Sequence, residues 1–477
     1  MVAGQRYTAL MDTPVRTNDL NATLARVRAA QRAQAPDYAQ RMDDLARLRA
    51  AYAARIEEFA KAMGADFGRR SRHESLLSDG MTVLNEIDHL RRHLRGWMRP
   101  KRAAADWLFF PARTEVHYQP LGVVGVISPW NYPVNLALNP LAAAIAAGNH
   151  VMLKPSEHTP RTSDLLQDLL AKVFSVDRVA TVLGGPDVAA AFAALPFDHL
   201  FFTGSTAVGR KVMAAAAPNL TPVTLELGGK SPVIIAPDYP LATAVDRIAA
   251  GKFLNAGQTC IAPDYVLLPK ASIPGFVDEM KKYISRRYPS LAANTDYASI
   301  VNGGQYSRLQ SYLDQAHAAG AKIVELAPGD PGQRVLPPTL VLDAREDLAL
   351  MQEEIFGPIL PLVAIDSVDA AIDYINARPR PLSLYHFDND KARTQRVLER
   401  TIAGGVSVND TVMHFVQNEL PFGGVGPSGM GHYHGHDGFL AFSKQKPVLY
   451  QARWTSMKFM RPPYRGIADF LVRFLTR

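Results

Sequence analysis

From position 121 onward the chain repeats one pattern: a short apolar run, a polar bend, an amphipathic helical stretch, then another apolar run. The runs are 121–127, 150–153, 179–183, 199–202 and 223–227, and the helical stretches between them are 134–147, 163–173 and 205–217. Runs so continuously apolar suit strands buried on both faces, and strands joined through helices run parallel. A parallel sheet covered by helices satisfies both conditions. Such a sheet binds ligands beyond the carboxyl ends of its strands. Strand ends are therefore the places to look for chemistry.

Beyond Gly228 the alternation starts again, with 232–235, 241–254, 265–268, 307–318, 359–365, 368–376, 382–387 and 406–408 as its elements. This predicts a second α/β unit. Ahead of both, residues 18–100 read as mostly helical; Leu45, Leu48, Tyr52, Ile56, Phe59 and Met63 form one apolar stripe at spacings of three and four. Residues 107–118, around Pro111, predict a hairpin or exposed ribbon. Residues 421–438 form a Gly-rich loop, and 467–475 place Ile467, Phe470, Leu471, Phe474 and Leu475 on one helical face. There is no short-period repeat and no low-complexity segment.

Cys260 is the only cysteine in 477 residues. A lone cysteine is by default a small buried hydrophobe. This one stands in KFLNAGQTCIAPDY, on a Gly-containing bend between a helix-like and a strand-like stretch, where a side chain can face a cleft. Glu226 lies 34 residues earlier (260 − 226), in LELGGK at the end of an apolar run. A thiol and a carboxylate at element ends suit a nucleophile and a base.

Three other strand ends and one apolar run carry polar groups. In PWNYP, Asn131 is held between bulky residues and two prolines, and reads either as an oxyanion donor or as an asparagine closing a turn. In HVMLKPSE, Lys154 and Glu157 suit the hydroxyls of a ribose, or a plain ion pair. FTGSTAVG, with Gly204, Ser205 and Gly209, opens a helix and suits either a phosphate or a tight turn. In MQEEIFGPIL, Glu354 before Phe356 is a hydroxyl-binding group or part of a solvated turn.

Composition excludes several classes. With 47% hydrophobic residues the chain is globular, and one cysteine allows no internal disulfide, which suits a reducing compartment. The longest apolar stretch, 136–153, is broken by Asn139, Pro140 and Asn149, short of the roughly 20 residues a membrane span needs. The first 20 residues have no apolar signal core. A soluble, cytoplasmic protein is expected. The net charge of +7 is scattered among acids without an aromatic-interleaved basic block, which predicts a solvated surface and no nucleic-acid site.

Taken together and in this order, PWNYP, KPSE, FTGSTAVG, LELGGK, GQTC, EEIFGP and PFGGVGPSG resemble the aldehyde dehydrogenase superfamily over about residues 40–446. GQTCIAPDY, GGVSVND and GMGHYHG resemble its class 3 branch, and DFGRRSRHE with RRHLRGWMRP is similar to the coniferyl aldehyde dehydrogenases. The resemblance implies an α/β fold with a Rossmann-like NAD-binding domain at 1–101 and 121–228 and an α/β catalytic domain at 229–442. It further implies a small β bridging element at 102–120 and 443–452 that pairs subunits as a homodimer, followed by a tail at 453–477 with an amphipathic helix.

The resemblance also implies roles. Cys260 would be the nucleophile, the Asn131 amide and the Cys260 backbone N–H would hold the oxyanion, and Glu226 would activate water against the thioester. Glu354 would hold the nicotinamide ribose with Phe356 packed nearby, Lys154 and Glu157 the adenosine ribose, and Gly204, Ser205 and Gly209 the pyrophosphate. Trp130 and Leu227 would complete the cofactor site. The implied cofactor is NAD, with NADP as the alternative, and no metal is expected. Glu226 argues against a CoA-acylating relative, which lacks that carboxylate, and Cys260 with Glu226 argues against a non-catalytic one. If Tyr132, Asp264, Tyr265, Met413, His414, Phe415 and Tyr433 converge as in the family, rings line the approach to Cys260. No lysine or arginine in those segments would receive a substrate carboxylate. The expected substrate is a bulky hydrophobic or aromatic aldehyde of the coniferyl type, oxidised to its acid; a medium- or long-chain aliphatic aldehyde is the alternative.

Overall fold

Strands Val123–Ile127, His150–Lys154 and His199–Thr203 are buried along their whole length. They are rich in Val, Ile, Leu and Phe, and residues of this kind with no polar face can rest only inside a sheet covered on both sides. The computed structural model, which describes residues 20–464 and 466–476, has them in a six-stranded sheet. Its order is 429–430, 223–226, 199–203, 123–127, 150–154, 179–181, parallel except for the first strand. The expectation for the first residues of the chain falls at 1–19, outside the described residues.

The second unit is a seven-stranded sheet in the order 322–325, 339–342, 359–365, 265–269, 232–235, 383–387, 405–408, with only 322–325 antiparallel. The α/β architecture with two parallel sheets is as expected. A third, three-stranded sheet joins Lys101–Ala103, Arg113–Pro120 and Ser443–Tyr450. Arg113–Pro120 pairs with Ser443–Tyr450 from end to end, and Trp107–Phe109 ahead of it is a 3₁₀ turn rather than part of a ribbon.

Three departures are informative. The apolar stripe from Leu45 to Met63 is not one helix but two, Tyr38–Ala53 and Ile56–Phe67. Arg55 leaves helical geometry between them and its side chain reaches Glu58 and Asp168. The expected boundary at 442 does not follow the packing either. Gly429–Met430 pairs antiparallel with Leu225 and Glu226, and Phe422, Tyr433, Phe439 and Phe442 sit in one core cluster with Val124, Leu141 and Leu153. Glycine permits this return: Gly429 has φ +143°, and a Cβ there would stand 2.2 Å from the Leu225 carbonyl oxygen. Third, helix Gly466–Leu475 leaves Ile467, Phe470 and Phe474 exposed and buries only Ala468. No described helix is long and apolar enough to cross a membrane.

Candidate active site

The carboxyl ends of strands Val123–Ile127, His150–Lys154, His199–Thr203 and Val223–Glu226 open on one cavity of about 990 Å³. Its far wall comes from the second unit, including Glu354, Phe356 and Arg308. Trp130, Asn131, Lys154, Glu157, Gly204, Ser205, Glu226, Leu227, Cys260, Glu354 and Phe356 all line it. Gly209 does not: a Cβ there would meet Leu227 Cδ2 at 2.6 Å, so this glycine lets the helix press against the strand end instead of approaching the cavity.

Cys260 lies on a loop held from every side. Helix Leu241–Phe253 stops, and Asn255, Ala256 and Gly257 follow with φ of +50°, +52° and +75°. Left-handed backbone costs roughly 1–2 kcal/mol for each residue other than glycine, so the neighbours must enforce it. They do. Gln258 donates to the Asn255 and Ser299 carbonyls and accepts from Val301 N–H. The Tyr132 hydroxyl meets Thr259 Oγ1 at 2.6 Å, and Asn255 N–H donates to Glu74. Gly257 is required for space as well, since a Cβ would stand 2.3 Å from the Gly357 carbonyl oxygen.

Asn131 is buried and its Nδ2 donates to the Gln258 carbonyl at 3.1 Å. One amide hydrogen fixes the pose; an amide nitrogen carries two. Behind it, Arg70 donates to the Asn131 carbonyl at 2.7 Å and pairs with Asp79 at 2.9 Å, both side chains fully buried. Asp79 in turn accepts from Val134 and Asn135 N–H, at the start of helix Asn135–Ala146. The sequence reading missed Arg70, Asp79 and Gln258. The signal available was RRSRHE, a basic run between apolar helices.

Two carboxylates act on the thiol: Glu226, which is buried, and Glu354, which is half-buried with one oxygen covered. Glu226 ends its strand beside the Cys260 thiol and the Thr203 hydroxyl, but neither carboxylate oxygen has an aligned hydrogen bond. Burial pushes it up to about 7, although the thiol and hydroxyl contacts pull it down. Burial likewise pushes Glu354 up to about 8, with Asp264 adding repulsion and Gly229 N–H opposing it. Its Oε1 is buried without a partner. Gly228 makes room for this group: a Cβ would lie 2.0 Å from Glu354 Oε2. Burial, then the charges of Glu226 and Glu354, push the Cys260 thiol up, so its proton leaves only when a neighbour can take it. Lys252, also unnoticed in the sequence, is buried without a hydrogen bond and burial draws it down to about 8.

The rest of the rim is more open. Lys154 is buried and pairs with the exposed Glu157 at 2.8 Å. Ser205 caps helix Thr206–Ala216 by accepting from Val208 N–H, and the first turn of that helix lines the cavity. Phe356 packs edge-on against Trp130, ring centroids 5.3 Å apart.

The expected ring-lined approach is only partly formed by the residues named for it. Asp264 is buried, paired with Lys230 and accepting from Ile355 N–H, so it anchors the Glu354 loop. Tyr132 and Tyr433 are buried core rings, Tyr265 is buried but lines the cavity, and Met413 is half exposed. Phe415 packs edge-on against Phe422 at 4.8 Å, within the cluster against which Cys260 also packs.

Residues 13–448 match the model of the Aldehyde dehydrogenase family. Over 480 aligned residues the chain is 51% identical to a probable coniferyl aldehyde dehydrogenase of Pseudomonas aeruginosa, covering 100% of both chains. Among solved structures it is similar to the substrate-bound state of Staphylococcus aureus AldH, 37% identical with a TM-score of 0.91, covering 95% of this chain and 99% of that one. It is also similar to a P. syringae AldA indole-3-acetaldehyde dehydrogenase mutant in complex with NAD+ and IAA, 25% identical with a TM-score of 0.84, covering 92% and 90%.

Proposed function

Since the chain belongs to the aldehyde dehydrogenase family and is an aldehyde dehydrogenase, we propose that it oxidises an aromatic, coniferyl-type aldehyde to its acid with NAD. The observation that carries the reading is the single cysteine on a clamped loop, facing a buried carboxylate across the carboxyl ends of a parallel sheet. The coniferyl class is supported by the Pseudomonas relative.

In this reading Cys260 Sγ adds to the aldehyde carbon, and the thiol proton passes to Glu226, the nearest base. Negative charge then develops on the former carbonyl oxygen. The second Asn131 Nδ2 hydrogen, left over from the Gln258 contact, and the Cys260 backbone N–H receive it. When bound, the dinucleotide supplies the hydride acceptor. Loss of hydride leaves a thioester on Cys260. Glu226 releases the thiol's proton to solvent and, ionised again, takes a proton from water; the hydroxide oxygen bonds the acyl carbon, the C–S bond breaks, the acid leaves, and Glu226 returns its proton to the Cys260 sulfur.

The cavity suits a dinucleotide. Glu354 Oε1 is a buried oxygen in need of a donor, as a ribose hydroxyl would be. The helix opening at Thr206 offers N–H groups to a pyrophosphate, and the exposed Glu157 suits a free 2′-hydroxyl while repelling a 2′-phosphate. NAD is therefore favoured over NADP. We assign the cofactor role to the first unit, catalysis to the second, and pairing of two subunits to the three-stranded sheet, whose short strand Lys101–Ala103 is exposed at the edge. The lone cysteine supports a reducing, cytoplasmic setting.

Steady-state kinetics of coniferaldehyde, benzaldehyde, hexanal and succinic semialdehyde test the substrate class. Coniferaldehyde should have the highest kcat/KM. A semialdehyde that outruns it sinks the aromatic reading.

A further inference from the structure

Helix Thr82–Trp97 carries His89 and His93 four residues apart, so both rings leave the same face. Glu419, from the loop that returns toward strand Gly429–Met430, stands opposite. One ligand atom from each of the three lies within 4.8 Å of the others. His89 Nε2 is buried without a hydrogen-bond partner and sits 3.6 Å from Glu419 Oε1. His93 Nδ1 lies 2.9 Å from the His89 carbonyl oxygen. A carbonyl only accepts, so Nδ1 carries the hydrogen and Nε2 keeps its lone pair. Metal-binding histidines are commonly held this way, the second nitrogen donating to a carbonyl.

We propose that His89, His93 and Glu419 form a site for one divalent transition-metal ion of the zinc kind, outside the Cys260 cavity. None of the three lines that cavity. Two imidazoles and a carboxylate are a donor set zinc takes, with water in the fourth position. Bonds of roughly 2.0–2.2 Å put neighbouring ligand atoms about 3.4 Å apart, so the group must contract. Glu419, whose side chain is 76% exposed, is free to make most of that movement. The bound ion would pin the 410–420 segment to the helix.

The test is calorimetric titration of tag-free, chelator-treated protein with zinc chloride near pH 7.5. A Cys260→Ser background removes the only thiol that could compete. One ion per chain is expected, with Glu419→Gln and His93→Gln each weakening it at least tenfold. Zinc should raise Tm in the parent and not in Glu419→Gln, whose exposed position leaves folding unchanged. Absence of saturable binding overturns the proposal. So does parent affinity in either variant, which would leave an adventitious ion only.

Discussion

The loop that carries Cys260 and the rim formed by Lys154, Glu157 and Ser205 border the same cavity but are built on opposite terms. Asn255, Gln258 and Thr259 are buried and tied to both α/β units, through Glu74 and Tyr132 on one side and Ser299 and Val301 on the other. At the rim, Glu157, Ser205 and Val208 are exposed, and an ion pair and a helix cap are among the contacts that order it. The reacting atoms are fixed before anything binds, at the expense of left-handed backbone. The surface suited to a large, exchanging ligand is left accessible. Chemistry needs placement to within fractions of an ångström, whereas a cofactor that must come and go does not.

The contrast breaks hardest at Glu226. Glu226→Gln should slow both NADH phases, the first because the thiol keeps its proton and the second because water does, with turnover down about 10²–10⁴-fold. Stopped-flow absorbance at the NADH band reads both phases; a first phase at the parent rate would remove Glu226 from thiol deprotonation, and undiminished turnover would remove it from hydrolysis. Its pH behaviour sharpens the point. Only the ionised carboxylate is a base, so hydrolysis-limited turnover should rise with pH through about 7. The folded value lies above the usual 4.5, so ionisation costs stability, with no cost below about 4.5 and the full cost above about 7. Glu226→Gln should therefore melt higher than the parent at pH 8 and match it near pH 4.5.

Arg70→Met attacks the clamp itself. It leaves Asp79 charged and buried, which typically costs about 3–5 kcal/mol, and frees the Asn131 carbonyl. Denaturant melts should show that loss with slower acylation; unchanged stability would mean that Asp79 relaxes elsewhere. Asn131→Ala should slow the first NADH phase roughly 10²–10³-fold, the usual effect of losing one oxyanion donor. A normal first phase would exclude it from that role. At the open rim, Glu157→Gln should leave kcat nearly unchanged, raise KM for NAD a few-fold, and improve use of NADP. A large drop in kcat would contradict the division between clamped and open regions.

Much of this was legible in the sequence because parallel strands announce themselves as apolar runs, and their ends mark the cavity. Glu226 was found that way, while Cys260 stood out as the lone cysteine on a bend and Glu354 as half of an acidic pair in an apolar run. What stayed hidden depends on distant partners. Nothing local says that Arg70 meets Asn131, 61 residues away, or that Lys252 is buried without a hydrogen bond. The break between helices at Arg55 was invisible because the apolar stripe continues across it. The role of Gly209 was misread because a glycine that admits a phosphate and one that admits a leucine look alike in sequence.

Gly429 pairs with Glu226, and Leu227 N–H donates to the Ser428 carbonyl. The strand that ends in Glu226 is therefore bordered by a segment 203 residues later (429 − 226). At typical synthesis rates of about 5–20 residues per second, the ribosome needs roughly 10–40 s to make that interval. During it the first sheet has an unfilled edge beside Glu226, and the cluster that takes in Phe422, Tyr433 and Phe439 is incomplete. The last tenth of the polypeptide closes the oldest part of the molecule. A nascent or truncated chain ending before Phe422 would hold both Cys260 and Glu226 and still lack the wall that encloses them.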